Sequence, residues 1–232
     1  MDENTIVLVE NVWKAFNGKT VLAGVTIEAK KREIVAIVGP NGCGKTTLLR
    51  IIAGLLKPDH GRVKVRGRIG IVFQENMLLP WMKIRDNIAL GLKYAKKPRR
   101  VIEEKVNRIA ELLGIKEHLD KYPLQVSGGT ARKAAIARTL VLDPDILLLD
   151  EPFTGLDIDT RRNLAETLQK LKSQGKTIIA VDHHLESLAP ITDKIYILTP
   201  PPTRVKLSIN LHNTPPEKKT QIIYQKLIST QT

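Results

Sequence analysis

The sequence predicts an α/β fold: a parallel sheet covered by helices, an N-terminal antiparallel β lobe and an inserted helical subdomain. Three short apolar runs, at 34–38, 146–149 and 177–181, predict strands buried on both faces, which is typical of parallel sheets. Helical patterns of apolar residues lie between these runs, at 101–113, 129–142 and 160–173. Buried strands that alternate with helices indicate an α/β core rather than a bundle or a sandwich.

The flanking segments complete this prediction. Polar and apolar residues alternate from Thr5 to Ala29 around Asn17-Gly18, a strong turn dipeptide, which predicts antiparallel strands. Residues from about 77 to 143 contain only helix-like stretches and are predicted to form the helical subdomain. Three consecutive prolines at 200–202 end the regular pattern. The expected organisation is therefore one domain over 1–200 and a basic C-terminal appendix over 201–232.

Composition narrows the class of function. The 232 residues are 42% hydrophobic and 26% charged, as in globular proteins, and their formal net charge is +13. Only nine residues are aromatic, which disfavours base stacking and hence a nucleic-acid partner. The apolar runs are far shorter than the roughly 20 residues of a membrane span. We expect a cytoplasmic protein, and its single cysteine excludes an internal disulfide.

A glycine-rich loop follows the first apolar run and precedes a predicted helix. It reads Gly-Pro-Asn-Gly-Cys-Gly-Lys-Thr, and this spacing is typical of a phosphate-binding loop. Small residues let successive backbone N–H groups converge on phosphate oxygens, while the lysine reaches the terminal phosphates and the threonine hydroxyl binds Mg²⁺. Cys43 is interpreted as a small filler rather than a nucleophile. The predicted nucleotide-binding residues here are Gly39, Pro40, Asn41, Gly42, Cys43, Gly44, Lys45, Thr46 and Thr47.

Two acids, Asp150 and Glu151, follow the second apolar run. Ligands of open α/β sheets collect at the carboxyl ends of the strands, so Asp150 is predicted to hold Mg²⁺. Glu151 points the other way and is predicted to act as the general base that activates a water molecule. Together with the phosphate loop, this pair predicts an ATPase core of the phosphate-loop type.

A third segment makes the pattern specific. Val126-Ser127-Gly128-Gly129-Thr130 and the helix after it resemble the LSGGQ signature of the ATP-binding cassette (ABC) ATPases. The order and spacing of all three motifs match that family over about residues 5–200. The resemblance implies binding of ATP and Mg²⁺, with Ser127, Gly128 and Gly129 closing on the nucleotide held by a second copy or a paralogous cassette. Thr130 departs from the family's glutamine, and Arg132-Lys133 departs from its Gln-Arg.

The same resemblance assigns three further residues. Gln74 corresponds to the family's glutamine that contacts Mg²⁺ and leads into the helical subdomain. His183 corresponds to the histidine that contacts the terminal phosphate, and we expect it to be catalytic together with Glu151. Phe16 takes the place of the aromatic residue that stacks on adenine, although an aromatic residue of the β-lobe core is an alternative for it.

The resemblance also implies a transport role. Family members of this build power a separate membrane permease from the inner face of the cell membrane. Leu79-Pro80-Trp81 resembles the importers of nitrate, sulfonate and taurine, which work with an extracytoplasmic binding protein. Exposed Trp81 and Met82 would then anchor the permease. An exporter subunit and a soluble ABC ATPase of nucleic-acid repair or translation are the alternatives.

Overall fold

The computed structural model describes residues 2–183 and 185–229. Within these residues, nine strands form two sheets. The strands are β1 (Thr5–Phe16), β2 (Lys19–Lys30), β3 (Ile34–Val38), β4 (His60–Val65), β5 (Ile69–Val72), β6 (Ile146–Asp150), β7 (Thr177–Asp182), β8 (Lys194–Leu198) and β9 (Val205–Asn210). The helices are α1 (Lys45–Ile52), α2 (Ile84–Tyr94), α3 (Arg99–Leu112), α4 (Gly128–Leu140), α5 (Ile158–Ser173), α6 (Leu185–Leu188) and α7 (Pro216–Ser229).

The central sheet has six strands in the order β5-β6-β7-β3-β8-β9, and all neighbours are parallel except β8 and β9. Every residue of β6 and β7 is buried. Alternate side chains enter two apolar cores, one shared with α1 and the β lobe and one shared with the other helices. This double burial explains the unbroken apolar runs and confirms the predicted α/β fold.

The antiparallel β lobe is the sheet β2-β1-β4. Its hairpin turns at Asn17 and Gly18, whose φ angles are 48° and 77°. Both angles lie in the left-handed region that two-residue hairpin turns require, and asparagine and glycine tolerate it best. The lobe brings the start of β2 next to the phosphate loop, where Val21 and Leu22 lie beside Gly44.

The helical subdomain consists of α2, α3 and α4, and α2 packs against both of the others. Two 3₁₀ turns, Lys116–His118 and Pro123–Gln125, connect α3 to α4. Among the residues that the structure describes, no helix is both long enough and apolar enough to cross a membrane.

The chain continues to pack on the central sheet after residue 200, where the sequence predicts a basic C-terminal appendix. Strand β9 pairs with β8 in the central sheet, and α7 packs on the 3₁₀ turn Ala189–Ile191. Thr203 is fully buried and its backbone exchanges two hydrogen bonds with β2. The charged and proline-rich composition after residue 200 concealed the alternating pattern of β9, which buries Ile209. Residues 230–232 of the predicted appendix lie outside the described residues.

Candidate nucleotide site

The loop between β3 and α1 is shaped by its glycines. Gly42 and Gly44 have φ angles of 76° and 92°, which side chains rarely adopt. A Cβ on Gly44 would lie 2.7 Å from a methyl carbon of Val21 in the β lobe. Gly44 is also the N-cap residue of α1 and provides no side-chain cap, so the first N–H groups of the helix face the loop. Such an uncapped N-terminus suits an anion.

Lys45 lies inside this loop and is 5% exposed. Its Nζ donates hydrogen bonds to the carbonyl oxygens of Gly39 (2.9 Å) and Pro40 (3.0 Å). The ammonium group is thus held within the concave side of the loop without a carboxylate partner in these bonds. Cys43 is fully buried, and burial raises the pKa of its thiol, which agrees with a filler role.

Thr46 and Asp150 meet at the carboxyl end of the sheet. Burial raises the pKa of Asp150, and the nearby Thr46 hydroxyl opposes the rise. Both residues line a cavity of about 290 Å³ together with Gln74. Asp150 Oδ1 is buried without a hydrogen-bond partner among the described residues. An unpaired carboxylate oxygen beside a hydroxyl and an amide oxygen fits a hard cation such as Mg²⁺.

Glu151 is held by three side chains. Its Oε2 accepts hydrogen bonds from Gln74 Nε2 (3.0 Å) and Thr154 Oγ1 (3.1 Å), and its Oε1 lies 3.5 Å from His183 Nδ1. Its φ angle is 46°, an uncommon conformation for a residue with a side chain. Strained backbone of this kind concentrates at functional sites because it aims a side chain that a regular strand would turn away. The structure therefore brings Gln74, Glu151 and His183 together.

The other predicted residues lie apart from this cluster. Ser127 is the N-cap residue of α4, and its Oγ accepts a hydrogen bond from the Thr130 N–H at 3.2 Å. Ser127, Gly128 and Gly129 do not line the cavity beside Asp150. Phe16 ends β1 and is 43% exposed, so its ring is not a residue of the lobe core.

Three contacts at the site escaped the sequence predictions. Thr154 bonds Glu151, as described above, and Thr203 Oγ1 donates to the Cys43 carbonyl in the phosphate loop at 2.5 Å. Arg132 of α4 binds backbone carbonyls at the carboxyl ends of β5 and β6. Only Arg132 carried a signal, as a departure from the family pattern; the threonines are common residues whose partners the sequence does not reveal.

The family model described as ABC transporter matches residues 22–154, which is more than half of the chain. The chain belongs to the ABC transporter family. It is 37% identical over 227 residues to an uncharacterised ABC transporter ATP-binding protein of Methanocaldococcus jannaschii, covering 92% of this chain and 85% of that one.

Other relatives are named as import proteins. A spermidine/putrescine import ATP-binding protein of Bacteroides fragilis is 38% identical over 85% of the cassette and 46% of its own length. An aliphatic sulfonates import ATP-binding protein of Burkholderia lata is 39% identical over 89% of the cassette and 77% of its own length. The cassette thus spans most of the first and third relatives but about half of the second.

Solved structures agree with the fold of the cassette. A nucleotide-free ATP-binding cassette from an ABC transporter superposes with a TM-score of 0.83 at 25% identity, covering 98% of this chain and 99% of that one. A dimeric cassette in a post-hydrolysis state with ADP and Pi superposes with a TM-score of 0.80 at 29% identity, covering 89% and 99%. The cassette is an ATPase that uses ATP with Mg²⁺.

Proposed function

We propose that this cassette hydrolyses ATP to drive a separate membrane permease in an importer of small anions. The observation that carries the catalytic part is the arrangement around Glu151. Its carboxylate is held by Gln74, Thr154 and His183 at the carboxyl end of the sheet, next to the cavity lined by Thr46 and Asp150. The phosphate loop enters the same end of the sheet from β3.

In this proposal the phosphates lie on the backbone N–H groups of 39–47, and Lys45 exchanges its carbonyl partners for phosphate oxygens. Thr46, Asp150 and Gln74 hold Mg²⁺, which when bound neutralises charge on the phosphates. The Phe16 ring, which is exposed at the end of β1, stacks on adenine.

Glu151 accepts a proton from the attacking water molecule, and its three partners fix the direction of the carboxylate. Gln74 and Thr154 both bond Oε2, so Oε1 remains the oxygen that faces His183. His183 then lies where it contacts both Glu151 and the terminal phosphate.

A second copy or a paralogous cassette completes the site. Ser127, Gly128 and Gly129 form an anion nest at the N-terminus of α4, where the Ser127 side chain caps the Thr130 N–H, and this nest lies away from the cavity of its own chain. Closing that nest on the terminal phosphate of the opposite chain sandwiches one ATP between two cassettes. This arrangement explains why a phosphate-binding motif lies outside the site of its own chain.

The surface for the permease lies on the helical subdomain. A groove of about 510 Å³ between α2 and α3 includes the apolar side chains of Ala89, Ile102 and Val106. In the segment just before α2, Trp81 is 72% exposed, whereas Met82 is half-buried rather than exposed as predicted. Fully buried Asn87 fixes the turn that presents Trp81, since its side chain bonds the backbone of Leu79 and Met82. An exposed aromatic residue on a fixed turn suits a protein anchor.

Import of a small anion is the finer part of the proposal. It is supported by the Leu79-Pro80-Trp81 segment and by the sulfonate import relative. A cassette docked on a permease lies at the inner face of the cell membrane, and an importer of this kind takes its substrate from an extracytoplasmic binding protein. Transport of a labelled sulfonate by vesicles containing cassette, permease and binding protein tests this part, and ATP-independent uptake would contradict it.

Hydrolysis is tested with the purified chain. The rate of phosphate release from ATP with Mg²⁺ should fall by a factor on the order of several hundred in Glu151→Gln, because the amide cannot take the proton. Glu166→Gln on the exposed face of α5 is the matched control and should retain wild-type activity. Equal activity of the two variants would contradict the role of Glu151.

A further inference from the structure

We propose that Arg132 is a positioning residue of the ATPase site, which holds the carboxyl ends of β5 and β6 together and ties them to the signature helix α4. The proposal rests on the roles given above to Gln74 and Asp150, because these are the residues whose backbone Arg132 binds.

The contacts of Arg132 cross two strand ends. Strands β5 and β6 pair in parallel up to Val72 and Leu149, where their hydrogen-bonded ladder ends. Beyond that point Arg132 Nη1 donates to the carbonyl oxygens of Phe73 and Gln74 (3.1 Å for Gln74), and Nη2 donates to that of Asp150 at 2.5 Å. The guanidinium group therefore bridges the two backbone segments just past the last backbone hydrogen bonds between β5 and β6, at the positions of Gln74 and Asp150.

The charge of Arg132 is buried for this purpose. The residue is 3% exposed, and its Nε has no hydrogen-bond partner in the part of the chain that the structure describes. Burial lowers the pKa of the guanidinium, while the carboxylates of Asp150, Asp182 and Glu151 raise it. Burying a cation among backbone carbonyls is costly. The nearby carboxylates offset that cost, so the cation and the acidic site stabilise each other.

Arg132 also links this site to the nest that faces the second copy. It lies five residues after Ser127 on the same helix, about 7.5 Å along the helix axis. A shift of α4 that moves Ser127 toward a partner therefore pulls on the backbone of Gln74 and Asp150. Helix α4 thus connects the nest at Ser127, which would bind the partner's nucleotide, with the Gln74 and Asp150 site of its own chain.

A second arginine of α4 provides the comparison. Arg138 binds the carbonyl oxygens of Asn76 (3.0 Å) and Met77 (2.6 Å), which lie beyond Gln74 in the segment that leads to α2. Within the described part of the chain its hydrogen bonds go to this segment and not to β6, so it holds the segment without binding the end of the strand that carries Asp150. Comparing variants of Arg132 and Arg138 therefore distinguishes alignment of Gln74 with Asp150 from attachment of the segment after Gln74 to α4.

The test is steady-state ATP hydrolysis by the full chain, with kcat and KM measured separately. Arg132→Met should lower kcat about 10- to 100-fold, because misplacing reacting groups by about 1 Å costs of that order. KM for ATP should stay within about threefold, because the phosphate loop is unchanged. Arg132→Lys retains the positive charge but loses the two-pronged guanidinium group, so its kcat should lie between those of wild type and Arg132→Met.

Arg138→Met is the matched control and should keep kcat within about threefold of wild type. Thermal unfolding of each variant establishes that the measured protein is folded, and if Arg132→Met does not fold, Arg132→Lys carries the test. A lower melting temperature with unchanged kcat, a change in KM alone, or equal effects of the two arginines would overturn the proposal. Absence of hydrolysis in the wild-type chain would instead overturn the proposed function.

Discussion

The two ends of the six-stranded sheet differ in whether their buried polar groups have hydrogen-bond partners. At the carboxyl end, Asp150 leaves one oxygen without a partner and the helix α1 begins without a side-chain cap. At the amino end, Asp193 and Glu33 are similarly buried, but each of their four carboxylate oxygens has a partner among the described residues. The same sheet therefore has one end prepared for a ligand and one end closed.

The closed end is a small network. Asp193 Oδ2 accepts the N–H of Ile34 at 2.8 Å, and its Oδ1 accepts from Lys172 Nζ at 2.6 Å. Glu33 accepts the N–H of Lys30 at 2.7 Å and lies 3.0 Å from His212 Nε2. Because His212 follows β9, this network ties the last part of the chain to the start of β3. Burial with complete pairing indicates stability, whereas burial with an open oxygen indicates binding.

The largest effect is expected at the open end. Lys45→Ala should lower ATP hydrolysis at least about 100-fold, since one charge that stabilises the phosphates is lost. The free energy of unfolding should change little, because the hydrogen bonds of Lys45 within the described residues go to two loop carbonyls. Phosphate release and thermal unfolding measure the two effects. Hydrolysis within a few-fold of wild type at saturating Mg²⁺ would contradict the assignment.

At the closed end the pattern should reverse. Asp193→Asn should lower the free energy of unfolding by about 2–4 kcal/mol, because buried Asp193 loses its ion pair with Lys172. Its ATPase activity per folded molecule should stay unchanged. Asp143→Asn is the control. The Asp143 carboxylate is exposed although it pairs with Lys176, so urea unfolding should show a loss of less than about 1 kcal/mol in the free energy of unfolding. Equal losses for both variants would contradict the contrast.

A third region should affect neither property. Trp81→Ser combined with Met82→Ser should leave basal hydrolysis and stability near wild type, and should weaken co-purification with the permease about tenfold or more. Tyr224→Ser on α7 removes another exposed aromatic side chain and serves as the control. Loss of hydrolysis with normal assembly would place Trp81 in the catalytic centre instead.

The smallest effect concerns Lys219 of α7, which is 6% exposed and donates to the Thr192 carbonyl at 2.7 Å. Burial lowers the pKa of Lys219. The unfolded chain therefore binds more protons in the window between this lowered pKa and about 10.4, so stability rises with pH there. Lys219→Met should remove that slope and change stability at pH 7 by less than about 1 kcal/mol. An unchanged slope in urea unfolding across this window would contradict the interpretation.

The local parts of the fold were predictable from sequence. The strand over 34–38 has the predicted bounds, and the helix predicted over 160–173 begins two residues earlier, because Asp157 caps it through the Thr160 N–H. Apolar periodicity and turn dipeptides act within a few residues, so their outcome is visible in the sequence.

Contacts between distant segments were not predictable. Glu33 meets His212 across 179 residues, and Thr203 supports the loop at Cys43 across 160. Neither pairing changes the periodicity of its own segment, so the sequence does not reveal it. For the same reason, β9 of the central sheet was not predicted after the prolines at 200–202. The motifs indicated which residues gather at the site, but not that Arg132 aligns them.

If a second copy completes the open end of the sheet, size-exclusion chromatography of Glu151→Gln detects this most directly. With the base removed, ATP remains uncleaved and continues to bridge the phosphate loop of one chain and Ser127–Gly129 of the other. We predict a dimer with ATP and a monomer with ADP or without nucleotide. A monomer under all three conditions over a wide range of protein concentration would contradict the account.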